Sequence, residues 1–126
     1  MNSSLKAMII VFAGSGVGGV ARYGIQTWLL RLYPGIFPLG TFIVNLLGCF
    51  LIGLFYAICQ KHNIFTPQWR LALTTGFCGG FTTFSTFAYE NVFLLKAGNY
   101  STPFLYITAS VLLGIAAVFA GIYTVK

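Results

Sequence analysis

Residues 76–87 read GFCGGFTTFSTF, and the reading of this stretch decides the fold. Three glycines, four hydroxyl side chains and four phenylalanines occupy these twelve residues, with no charge among them. The segments on either side are apolar enough to lie in lipid. A membrane span that carries helix-weakening glycines, then hydroxyls and rings at regular spacing, calls for more than a hydrophobic rod.

Composition sets the class. Of the 126 residues, 58% are hydrophobic and only 6% are charged, against about 25% charged in an ordinary soluble domain. Such a chain has too few polar groups to cover a water-facing surface, so it is expected to be an integral membrane protein. The formal charge of +6 comes from seven scattered basic residues and one acid, a pattern that reads as anchoring at the bilayer interface and not as nucleic-acid binding. Cys49, Cys59 and Cys78 fall in or at the end of apolar stretches, and an odd count argues against a disulfide framework. His62, the single histidine, has no cysteine or acid nearby at ligand spacing, so no transition-metal site is expected. Lys6 precedes an apolar run that continues past the core of a secretory signal and lacks a cleavage pattern, so the run reads as a retained span.

Four apolar segments follow, each near the ~20 residues needed to cross hydrocarbon. They run from about Leu5 to Leu32, Leu39 to Cys59, Trp69 to Leu95 and Phe104 to Val125. The links YPGIFP (33–38), QKHNIFTPQ (60–68) and KAGNYSTP (96–103) are rich in turn formers and short, so consecutive spans should be antiparallel within one membrane domain, 1–126. Lys6, Lys61, Arg70 and Lys126 would share one side, and Arg31 and Lys96 the other, with Arg22 nearer the interior. This imbalance is a faint topological instruction, and it leaves room for insertion in both orientations and for an antiparallel pair of identical chains. Gly14 with Gly18, Gly76 with Gly80, and Ala117 with Gly121 repeat the small-xxx-small spacing that lets helices approach closely, ordinary helix packing being the plain reading.

On a helical wheel of about 100° per residue, Thr82, Thr83, Ser85, Thr86, Tyr89 and Glu90 fall in one arc, and Phe81, Phe84 and Phe87 in the remainder. Serine and threonine commonly bond back to their own helix. A segregated set of hydroxyls ending in the only acid of the chain points instead to the lining of a water-filled or ion-bearing passage. Gly79-Gly80, just ahead of this face, weakens helical continuity. A break there would bare carbonyls that suit a hard monovalent cation, whereas a simple kink packed on a neighbour is the plainer outcome. The phenylalanines are either ordinary apolar surface or rings whose electropositive edges hold an anion loosely. Asn45, deep in the second span, needs a partner for its amide and offers donors to an anion. Arg22 either snorkels to the interface or acts electrostatically at a vestibule, and pairing with Glu90 is a further option. Tyr106 and Ser110, at i and i+4 in the fourth span, would extend the polar lining.

With GSGVGGVARY (14–23), TFIVNLLGCFLIG (41–53), GFCGGFTTFSTF (76–87) and YEN (89–91) assembled, the chain resembles the Fluc (CrcB) family of microbial fluoride channels along essentially its whole length. The resemblance implies a dual-topology homodimer of two antiparallel subunits with two fluoride pathways. It implies a sodium ion at the dimer centre, held by main-chain carbonyls that correspond to Gly79 and Thr82. The pore phenylalanines map onto Phe84 and Phe87, the polar track onto Ser85 and Thr86 beside Thr83, and the pore asparagine onto Asn45; Arg22 and Glu90 match recurrent charged positions. Selectivity for an anion, and for fluoride in particular, comes from the resemblance alone.

The expected protein is an all-α, multi-pass protein of the cell membrane: a passive fluoride channel that exports the ion to relieve toxicity, and not an enzyme. Its partners would be fluoride, the lipid bilayer and a second copy of the chain, with structural sodium as the bound cofactor and no nucleic acid. The alternatives are a small multidrug exporter and a proton-coupled fluoride transporter. The exporter ordinarily needs an early membrane carboxylate, and the first span here has none. An accessory subunit of a larger membrane complex would leave the hydroxyl face without a purpose.

Overall fold

A computed structural model describes residues 2–63 and 65–125 and is wholly helical. Lys126, counted above among the basic end residues, lies outside the described residues. Helix α1 spans Ser3–Leu32, α2 Leu39–His62 and α6 Ser101–Val125, and each is long and apolar enough to cross a membrane. The third segment is assembled from pieces: α3 (Pro67–Leu71), a π-helical stretch (Ala72–Cys78), α4 (Gly79–Phe81) and α5 (Ser85–Lys96).

The ends follow local chemistry. Asn2 caps α1 by accepting from the Leu5 N–H at 2.7 Å. Thr66 caps α3 from the Trp69 N–H, with Pro67 at the first helical position, where no N–H is needed. Helix α2 runs three residues beyond the expected Cys59, into the polar link. Lys61 and His62 complement the negative helix end there, and Asn63 adopts the left-handed conformation (φ 52°) that stops the helix. Lys61 Nζ also donates to the Val125 carbonyl at 2.8 Å, tying the ends of α2 and α6 together.

Small residues set the packing. A Cβ on Gly18 would overlap the Phe77 carbonyl oxygen, and one on Gly80 would overlap the Ser15 carbonyl oxygen, so α1 and the third segment touch backbone to backbone. Gly53 against Val118 and Gly121 against Phe50 play the same part between α2 and α6. Residue numbers rise together from Gly14–Gly76 to Gly18–Phe81, so α1 is parallel to the third segment, and from Cys49–Gly114 through Gly53–Val118 to Lys61–Val125, so α2 is parallel to α6. Gly40, at the start of α2, meets Gln26 near the end of α1, beside the short 33–38 link that turns the chain back, so α1 and α2 are antiparallel. The alternation is the one short links require, and the expected small-residue pairs supply its seams.

Candidate functional site

The third segment does break, but at Thr82–Phe84, just beyond Gly79-Gly80 and not at the glycines themselves. Gly79 is helical (φ −63°, ψ −38°) and continues into Phe81, whereas Thr82 is extended (φ −93°, ψ 158°) and the helix resumes at Ser85. Gly80 is required for its approach to Ser15 and not for flexibility. Gly48 of α2 makes room for the opening, since a Cβ there would overlap the Thr82 methyl group.

Asn45 holds the opening. The Thr83 N–H donates to its Oδ1 at 2.8 Å, and its Nδ2 donates to the Thr83 carbonyl at 3.0 Å. In an unbroken helix the Thr83 N–H would serve the Gly79 carbonyl, and the Thr86 N–H would serve the Thr82 carbonyl. Here the first goes to Asn45, and the second goes to Thr83 Oγ1 at 3.2 Å. The carbonyls of Gly79 and Thr82 therefore both lose their helical donors. The neighbouring Gly80 carbonyl is claimed by Arg22, whose Nε donates to it at 3.0 Å. Arg22 is thus turned inward to the break and not out to the interface, and it does not pair with Glu90.

Because the break divides residues 81–90, the single helical wheel does not hold. Phe81 leaves the expected aromatic stripe: it is buried and stacks on Phe77 with centroids 5.4 Å apart. Phe84 and Phe87 remain neighbours at 5.7 Å, and Phe84 is 78% exposed on the chain. The hydroxyls divide between the two readings. Thr82 bonds back to the Cys78 carbonyl (2.9 Å) and Thr83 caps the new helix start, both local roles. Ser85 is exposed beside Thr83 Oγ1 at 3.5 Å.

Asn45, Thr82, Thr83, Phe84, Phe87 and Ser110 line one groove of about 570 Å³, together with Gly79. Ser110 Oγ is buried there without a protein partner among the described residues. Tyr106 is separated from this set: it is fully buried, its ring packs on Phe87 with centroids 4.8 Å apart, and its hydroxyl donates to Glu90 Oε1 at 2.9 Å. Thr86 and Glu90 line a second cavity of about 370 Å³ toward the 33–38 link, with Gln26 and Thr41. Sequence reasoning passed over Thr41, which donates to Glu90 Oε2 at 2.8 Å, and Gln26, which donates to Thr41. The available signal was that each is a polar residue facing the same short link from an otherwise apolar span.

Comparison with known proteins places the chain in context. The family model for CrcB-like protein, Camphor Resistance (CrcB), matches residues 9–122. A relative from Leptospira interrogans (strain Fiocruz L1-130), named fluoride-specific ion channel FluC, is 46% identical over 126 residues, which cover 100% of this chain and 98% of the relative. Proteins of the same name from Phocaeicola vulgatus and Gloeothece citriformis are each 48% identical over 119 residues, or 94% of this chain and 98% and 96% of theirs.

Proposed function

Because the chain belongs to the CrcB family, we propose that it is a passive, fluoride-selective channel of the cell membrane. It is a multi-pass membrane protein that moves an ion and carries out no covalent chemistry. The observation that carries the mechanism is the opened third segment: an uncharged groove of amide, hydroxyl and ring edges beside peptide oxygens stripped of their helical donors.

Fluoride sheds its water only where other donors replace it. Asn45 spends one N–H on Thr83 and keeps one for the ion. Ser110, whose hydroxyl lacks a protein partner among the described residues, and Ser85 and Thr86 beyond it continue the donor track, with Thr83 setting the start of α5. The positive edges of Phe84 and Phe87 attract the anion weakly enough to release it. The positive N-terminal end of α5 adds to the preference for negative charge. Tyr106 acts from beneath the track by anchoring Glu90, and Arg22 brings a positive charge to the break through Gly80.

The working unit is an antiparallel homodimer. Gly79 is exposed at mid-span, no described residue beyond its own helix turn and chain neighbours lies within 4 Å of where its Cβ would be, and the exposed Phe84 lines the same groove. Hydrocarbon does not satisfy bare peptide groups, so a second copy must cover them. Two copies meeting there bring the Gly79 and Thr82 carbonyls of each chain together, a set of hard oxygen donors that fits sodium. The cation would neutralise these oxygens and add positive charge near the pathways, without itself being transported.

The experiment is direct. Vesicles loaded with potassium fluoride and carrying the purified protein should release fluoride to an electrode once valinomycin allows potassium to leave. Vesicles that retain their fluoride would contradict the assignment.

A further inference from the structure

Gln26, Thr41, Glu90 and Tyr106 form one hydrogen-bonded chain across α1, α2, α5 and α6. Gln26 Nε2 donates to Thr41 Oγ1 at 3.0 Å, Thr41 donates to Glu90 Oε2 at 2.8 Å, and the Tyr106 hydroxyl donates to Glu90 Oε1 at 2.9 Å. The direction of this chain is not arbitrary. A hydroxyl has a single proton, and an ionised carboxylate only accepts. If the amide of Gln26 presented its oxygen, Thr41 would have two acceptors competing for one proton. With the N–H presented, that proton is committed to Glu90.

Glu90 is the only acid in the chain, and it stands at the wall of two cavities, of about 370 Å³ and 550 Å³. It follows Phe87 by three residues, so an anion that has passed Phe87 and Thr86 comes under its negative charge. Two donors drawing on the carboxylate, one to each oxygen, fix its position and reduce its repulsion of that ion. Gln26 itself has little freedom, because α1 and α2 meet at this point: a Cβ on Gly40 would lie 3.0 Å from Gln26 Cα.

We propose that Gln26 is a positioning residue for fluoride passage: by setting the polarity of the Thr41 hydroxyl, it holds the Glu90 carboxylate against α2 and α6 and off the route of the ion. The inference rests on the channel reading given above. A residue that merely stapled α1 to α2 would act the same way whatever stood at position 90. A residue acting on the charge of Glu90 would not.

The test is fluoride efflux from vesicles containing the full-length dimer, with Gln26→Met made in the unaltered chain and in a Glu90→Gln background. Met preserves the length of the side chain and removes the donor. Efflux should fall roughly two- to tenfold in the unaltered chain, the range one hydrogen bond supports, and should not fall further in the Glu90→Gln background. An equal fall in both backgrounds, or none in either, overturns the inference. Should Glu90→Gln alone abolish efflux, Thr41→Val serves as the background with the same outcomes. Gln26→Lys, which donates and never accepts, should retain more efflux than Gln26→Met, and the reverse order counts against the proposal. Unaltered protein that releases no fluoride removes the channel reading and this inference together, whereas unaltered protein that conducts while the two substitutions act independently removes the inference alone.

Discussion

Asn45 and Thr83 exchange two hydrogen bonds, of 2.8 Å and 3.0 Å, so that one side-chain amide takes the place of a missing helical turn. An asparagine in mid-membrane and a broken helix are each costly alone. Together they satisfy one another. The pair explains why the break sits at Thr82–Phe84, where Asn45 reaches it, and not at the glycines upstream.

Asn45→Leu removes both bonds and leaves the partly buried Thr83 peptide groups without their protein partner. The expected loss is about 2–4 kcal/mol, from two hydrogen bonds and the cost of burying unpaired groups. It should be read as a lower thermal unfolding midpoint in detergent, together with lost fluoride efflux. Asn45→Asp keeps the acceptor for the Thr83 N–H but not the donor, so its stability should fall between the two. A Leu variant as stable as the unaltered chain would show that Thr83 does not depend on this residue.

The adjacent glycines 79 and 80 separate two functions. Gly80→Ala drives a methyl group into the Ser15 carbonyl, so it should destabilise the folded chain by roughly 1–3 kcal/mol, as overpacking does. Gly79→Ala meets no described residue beyond its own helix turn and should leave the single-chain fold intact. In the proposed dimer, that methyl group would fall in the interface. Sedimentation in detergent should therefore show weaker dimerisation for Gly79→Ala, while Gly24→Ala, equally free of neighbours in the chain but on α1, serves as the control.

Much of this was legible in the sequence. Four apolar segments, short links and small-residue seams follow from composition and spacing, and the seams at Gly14, Gly18, Gly76 and Gly80 sit where that spacing puts them. The presence of a discontinuity was also readable, because hydroxyls and glycines crowd one span. Its position was not. Gly80 looked like a weak point and is a contact surface, a distinction that depends on Ser15 of another helix. The π-helical stretch Ala72–Cys78 leaves no mark in residue type, and once the break is placed correctly Phe81 turns from the stripe into the core. Tyr106 and Ser110 share a helical face by spacing, yet they are divided by what surrounds them: rings and Glu90 around one, an open groove around the other.

Phe84→Ile and Phe87→Ile replace a ring edge with a branched alkyl surface of similar bulk. Each should lower fluoride efflux without preventing assembly, as judged by an unchanged elution volume on size exclusion. Phe87→Ile also removes the 4.8 Å contact with Tyr106, so it should lower the unfolding midpoint as well, whereas the exposed Phe84 should not. Unaltered efflux in both variants would discard the role of the rings.

Replacing sodium with N-methylglucamine, a cation too large for a carbonyl cage, should weaken the dimer and reduce efflux, and both should recover when sodium is restored. Lithium and potassium, hard ions of other sizes, should restore less. A dimer indifferent to the cation present would separate the Gly79 and Thr82 carbonyls from ion binding.

The most direct measurement is electrical. With the purified protein in a planar bilayer, a fluoride gradient and equal pH on both sides, a passive channel should carry steady current whose reversal potential follows the fluoride gradient and is unmoved when chloride is varied. Current that appears only with a proton gradient, or that follows chloride, would contradict the account.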